Sequence, residues 1–191
     1  MRFILVLFYF VACTQKPVAV PPPTVVIDHT SFIKEMMSIV GVKASKASQD
    51  NTAAMLNRVT LKIFENNKVG AEGFVTLVAM ESSFKSTAKS SAGAIGYAQV
   101  IPKFGLEFAS HCGLEIEPAD LNDPEINLTV GACLFKQLLS EYNNVSLSLV
   151  AYNAGRYSKQ IKDMQALRNL SNLETAGYVA KYHYLQELSK Q

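Results

Sequence analysis

The chain has no tryptophan, only three histidines and three cysteines, and charged residues make up just 18% of it. Each shortage excludes something. His29, His111 and His183 are scattered and have no ligand spacing, and no Cys/His cluster stands elsewhere, so no metal and no cofactor is expected. Positive and negative charges nearly cancel, to a formal net charge of +2, and no block of basic residues stands out. Nucleic-acid binding needs a clustered basic face, so no nucleic-acid partner is expected. The small positive excess helps approach to an anionic polymer only weakly, because salt screens it. No apolar run reaches the roughly 20 residues that span a bilayer as a helix. No stretch alternates apolar and polar residues long enough to form a strand, and no internal repeat is visible. What remains is ample for one core: 191 residues, 49% of them hydrophobic, with ten Phe and eight Tyr for aromatic packing.

The beginning of the chain reads differently from the rest. Arg2 is a minimal charged region, 3–11 form an almost unbroken apolar run, and Ala12 and Cys13 follow. This is the pattern of a secretory signal. Its ending resembles a bacterial lipobox, in which the cysteine is lipidated, although Phe10 stands where an aliphatic residue is usual. The competing readings are an ordinary cleaved signal and an uncleaved anchor. Residues 1–13 are therefore taken as signal and lipobox, implying export to the periplasm or cell envelope and a lipid anchor on Cys13. Residues 14–30 form a linker, where Pro17, Pro21, Pro22 and Pro23 favour extended polyproline II. Cys112 and Cys133 are then left as a pair. They form either a disulfide, contributing about 3 kcal/mol in an oxidising compartment, or two buried thiols.

Helical spacing dominates the remainder. Residues 31–54 read as an N-terminal extension with a short helix over 31–40, followed by a loop or weak helix over 42–52. Further helices are expected over 55–64, 74–84, 124–142, 146–153 and 173–188. Gly70 and Gly73 bracket the start of the second of these, Asp123-Pro124 opens the third, and Gly155 stops the fourth. The fold class is mainly α, with 55–191 as one catalytic domain.

One residue disturbs the pattern. On a helical wheel over 74–84, Phe74, Leu77 and Val78 define the apolar stripe, and Glu81, two turns after Phe74, falls in its middle. A carboxylate seldom sits on a buried helix face, since burying its charge is costly. Desolvation there raises the carboxyl pKa, which a general acid requires. The competing reading is a Glu at the core edge paired with Lys or Arg.

Short motifs follow in order. Glu81-Ser82-Ser83-Phe84 leads to Ala88 and Ser90, then Gly93-Ala94-Ile95-Gly96-Tyr97-Ala98-Gln99, then Asp123-Pro124-Glu125-Ile126-Asn127 with Gly131 beyond, then Ala151-Tyr152-Asn153-Ala154-Gly155, and last Glu174-Thr175 with Tyr178-Val179. Together they resemble the soluble lytic transglycosylase family, which implies a lysozyme-like helical domain with a groove for glycan. By this resemblance Glu81 matches the single catalytic acid/base. Ser90 lies near that acid and the reacting sugar, Gln99 hydrogen-bonds an N-acetyl sugar, Tyr152 is the tyrosine whose hydroxyl contacts the catalytic carboxyl, and Asn153 has a substrate or scaffold role. Each has a plainer alternative: Ser90 as a turn cap, Gln99 satisfying loop backbone, Tyr152 as a core aromatic. Two departures stand out. Tyr97-Ala98 replaces the usual Leu-Met before the glutamine, and Arg156 stands where Pro is common.

The resemblance also accounts for the lack of a second catalytic carboxylate, since Glu72 and Glu107 match no such position. Cleavage of the MurNAc-β-1,4-GlcNAc bond of peptidoglycan, leaving 1,6-anhydromuramyl ends, needs one acid that is afterwards a base. Two other readings stand beside it: a lysozyme-type hydrolase on the same fold, and a non-catalytic glycan-binding module.

Overall fold

The computed structural model describes residues 27–159, 161–162 and 173–190. The signal, Cys13 and the proline-rich part of the linker lie outside the described residues.

The described chain is helical, with only two isolated bridges, Lys89 with Ile95 and Ile95 with Val100, in place of strands. Helix α1 runs Thr30–Ile39 and buries Ile33, Met36 and Met37. Helix α2 runs Lys46–Phe64, well before the expected start at residue 55. The Ser45 hydroxyl accepts from the Ser48 amide and caps its first turn, so the Lys-, Ser- and Asn-rich segment is helix with a mostly solvated face. Apolar periodicity misses such a segment because it buries little until Ala53.

Helix α3 runs Lys68–Ser82. The expectation that Gly70 and Gly73 bracket its start is corrected. Asn67 is the cap, its side chain accepting from Gly70 N at 2.9 Å, and both glycines lie inside the helix. Their value is close approach. A Cβ on Gly70 would stand 2.7 Å from the Phe64 ring, and one on Gly73 would crowd Tyr182 and Phe135. The helix also stops short of Phe84: Ser83 and Phe84 both take positive φ, +49° and +56°.

Helix α4 spans Pro102–His111 and a 3-10 turn spans Pro118–Asn122. Helix α5 spans Pro124–Tyr142, capped as expected by Asp123, which accepts from the Glu125 and Ile126 amides at 2.9 Å. Helix α6 is Val145–Ala154, ended by Gly155 at φ +89°, and helix α7 is Leu173–Leu188.

Helix α3 sits at the centre and packs against α1, α2, α5 and α7. Residues 74–79 are almost wholly buried, so its apolar stripe is a cylinder and not one face. Phe64, Phe74 and Phe135 form an aromatic centre with ring centroids 5.9–6.5 Å apart, and Tyr152 meets Phe135 edge-on at 6.4 Å. Ile33, Met36 and Met37 belong to the same core, so α1 is built into the domain. Cys112, at the end of α4, is disulfide-bonded to Cys133 in α5, with Cα atoms 6.2 Å apart. Among the described residues, no helix is long and apolar enough to cross a membrane.

Candidate active site

Glu81 lies in the last turn of α3, partly buried. Burial pushes its carboxyl above the usual range. A hydrogen bond from Tyr178 and the charge of Lys181 oppose that rise without cancelling it. Its position near the carboxyl end of a helix also disfavours the anion. Among the described residues, no ion pair joins Glu81 to Lys or Arg, so the core-edge alternative is not the arrangement found.

The Tyr178 hydroxyl, from α7, donates to Glu81 Oε1 at 2.6 Å. This corrects the assignment made by resemblance, in which Tyr152 contacts the carboxyl. The Tyr152 hydroxyl donates instead to the Ala98 carbonyl at 2.7 Å. Tyr152 remains close enough for the Glu81 charge to act on it. Burial, and then that charge, hold both phenols well above their ordinary pKa, so both stay proton donors. Glu81 thus acts on two tyrosines from two helices, one bonded to it and one bonded to the Ala98 carbonyl. The sequence offered no means of choosing between them, because both stand in family-like motifs.

The loop between α3 and α4 is held from within and from below. Ser90 acts as a turn cap: its hydroxyl accepts from the Ala94 amide at 3.0 Å, and its own amide donates to the Ala94 carbonyl. Gln99 has φ +48°, and its Nε2 donates to the Ala88 and Gly96 carbonyls at 3.2 and 3.0 Å. Its amide nitrogen therefore serves the loop, while its carbonyl oxygen is the end suited to a ligand.

Two residues given no role from sequence prove central. Asn127 is 1% exposed on α5. Its oxygen accepts from the Ala98 amide at 2.9 Å, and its nitrogen donates to the Ile95 and Leu121 carbonyls at 2.9 and 3.2 Å. Gly96, at φ +77°, leaves the space Asn127 needs, because a Cβ there would lie 2.4 Å from the amide. One turn along α5, Gly131 admits Ala98. A Cβ on it would meet the Ala98 Cβ at 2.3 Å and the Tyr152 hydroxyl at 3.1 Å. The signal was a polar residue at a helix position that should be buried, in the Asp123–Asn127 segment.

Beside Tyr152 opens a cavity of about 630 Å³, whose lining includes Gln99, Tyr152 and exposed Asn153. That is within the size range of small-ligand sites. The described residues contain no group of three or more His, Cys, Asp or Glu placed to hold a metal ion.

The transglycosylase SLT domain model matches residues 59–171 of the sequence, more than half of it. The chain belongs to the transglycosylase SLT domain family. The fold agrees. The 70 kDa soluble lytic transglycosylase of Escherichia coli superposes with a TM-score of 0.64 at 18% identity, over 85% of this chain and 29% of that one. An inactive glutamate-to-glutamine mutant of lytic transglycosylase Slt from Pseudomonas aeruginosa superposes with a TM-score of 0.53 at 24% identity, over 71% and 22%. This chain therefore spans under a third of the length of either protein. The SLT match starts within α2, so α1 and the first turns of α2 lie outside it while sharing its core.

Proposed function

We propose that this SLT-family chain is a peptidoglycan lytic transglycosylase, cutting the MurNAc-β-1,4-GlcNAc bond and leaving 1,6-anhydromuramyl ends. The observation that carries this is that, among the described residues, no second acid acts on Glu81. Glycosidases ordinarily set two carboxylates about the scissile bond. Here the groups acting on the Glu81 charge are Tyr178 and Lys181, and neither is an acid. A lone acid must serve twice. With its pKa raised, Glu81 first gives a proton to the glycosidic oxygen, while the N-acetyl group of the substrate assists departure. The resulting carboxylate, held by Tyr178, then takes the proton of the muramyl 6-hydroxyl, which closes the anhydro ring in place of water. Gln99 Oε1 and Asn153 are the groups that would meet the sugar amides beside Tyr152.

Glu81→Gln fills nearly the same volume and can do neither step. Its rate of anhydromuramyl release should fall by a factor of about a hundred or more. Binding to sedimented peptidoglycan should persist. Mass spectrometry of the digest reads the outcome. Near-wild-type release by the mutant would remove Glu81 as catalyst, and reducing ends alone from wild type would establish the hydrolase reading instead.

The reading extends to location. An envelope protein anchored by lipid at Cys13, with a proline-rich spacer holding the domain off the membrane, would meet this substrate directly. The Cys112–Cys133 disulfide suits an oxidising compartment. Cys13→Ser should abolish lipid labelling, and unchanged membrane attachment in the mutant would refute the anchor.

A further inference from the structure

The cavity beside Tyr152 holds a cation whose hydrogen bonding is unfinished. Ile101, Phe104, Phe108 and Leu134 give it largely apolar walls. These four walls suit groups bearing methyls, while Gln99 and Asn153 of the same lining offer polar partners to a sugar. Arg156, just beyond α6, lines the same cavity. Its Nη2 is buried and has no hydrogen-bond partner among the described residues. Its Nη1 forms an ion pair with Glu141 at 3.8 Å, longer than a hydrogen bond. The guanidinium carbon lies 5.9 Å from the Phe108 ring centroid, so the group rests over an aromatic face. One prong of a two-pronged planar donor is thus unfilled, and a carboxylate is the acceptor that matches both prongs. Arg156 also occupies the position after Ala-Tyr-Asn-Ala-Gly where the resembling family commonly has Pro.

We propose that Arg156 is a specificity-determining residue that receives a carboxylate of the peptide branch on the muramyl sugar, whose methyl groups lie on the apolar walls. The proposal rests on the transglycosylase reading. A peptide branch combines the two chemistries the cavity offers, small aliphatic side chains and free carboxylates, on the sugar whose 6-hydroxyl reacts. Engaging it turns the arginine fork from Phe108 and Glu141 into the cavity, and exchanges an unfilled donor and a long ion pair for a charge-assisted pair. Exposed Glu107 lines the cavity too and opposes an anion there.

The test compares Arg156→Gln, Arg156→Lys and Glu107→Gln with wild type in the full chain. Three substrates are used: peptide-bearing glycan strands, the same strands stripped by an amidase, and peptide-bearing strands whose carboxyls have been converted to amides. Arg156→Gln should raise KM on peptide-bearing strands about tenfold with kcat unchanged, the scale of one lost charge-assisted contact. Arg156→Lys should fall between. Both should match wild type on the amidated strands, an equality that a general loss of structure would not produce. Glu107→Gln should lower KM on the peptide-bearing strands, and this arm does not depend on the folding of the arginine variants. Equal KM for all proteins on peptide-bearing strands overturns the proposal. So does an Arg156→Gln effect confined to stripped strands, where the exposed carboxylate is that of the lactyl group. If wild type releases no anhydro ends, the transglycosylase reading fails. The dissociation constants of the same strands, measured by co-sedimentation, then decide the role of Arg156 by the same comparisons.

Discussion

In the proposed reaction Glu81 is an acid and then a base, and its surroundings pull in both directions. Burial and the helix end favour the neutral form, while the short bond from Tyr178 favours the anion. Removing only that bond tips the balance one way. In Tyr178→Phe the anion loses its donor, so the carboxyl pKa rises further. The first step needs the protonated acid, so the alkaline limb of the pH–rate profile should move to higher pH. The rate at neutral pH should still drop, by about tenfold, because the second step loses the group that holds the carboxylate in place. A profile that keeps its alkaline limb would assign Tyr178 to packing alone. Tyr152→Phe should leave that limb nearly in place, because its hydroxyl bonds the Ala98 carbonyl and not the acid.

At the scale of elements, the end of α3 that carries Glu81 is not closed by α3 itself. The helix ends in two left-handed residues that are not glycine, a conformation that costs energy and persists only when the surroundings impose it. The next loop is pinned to α5 through two hydrogen bonds of one buried amide, whose third bond holds Leu121 of the 3-10 turn. Asn127→Ala removes all three and leaves buried backbone groups unmatched. It should cost about 2–4 kcal/mol of stability, readable as a lower denaturant midpoint. Activity should fall more than stability alone accounts for, since Ala98 and Gln99 lose their register against Tyr152. A variant as stable and active as wild type would show that the loop is held by its internal bonds at Ser90 and Gln99.

For the whole molecule, the boundary drawn from sequence at residue 55 divides α2, and the segment set aside as an extension supplies core. Ile33, Met36 and Met37 are buried to within 1%. Burying three such side chains contributes roughly 5–9 kcal/mol, comparable with the roughly 5–15 kcal/mol that hold an ordinary domain together. A chain starting at Met55 should therefore fail to fold, seen as loss of a cooperative thermal transition by circular dichroism. A chain starting at Ile27 should melt like the full protein. A cooperative melt from the shorter fragment would make α1 an accessory.

Local physics made much of this legible. The helical spacing, the cap at Asp123, the stop at Gly155 and the misplaced carboxylate at position 81 each depend on neighbours within two turns, and such neighbours are written side by side in the sequence. The start of α2 was hidden because a capped polar helix buries almost nothing by which to announce itself. Which tyrosine holds the acid was hidden for another reason. Tyr152 and Tyr178 are chemically alike and both lie far along the chain from Glu81. Only the packing of α7 against α3 and of α6 against α5 and α7, with Gly131 letting Ala98 intercept one hydroxyl, decides which phenol reaches the carboxyl. Residue chemistry specified that an acid would be buried here, and long-range packing chose its partner.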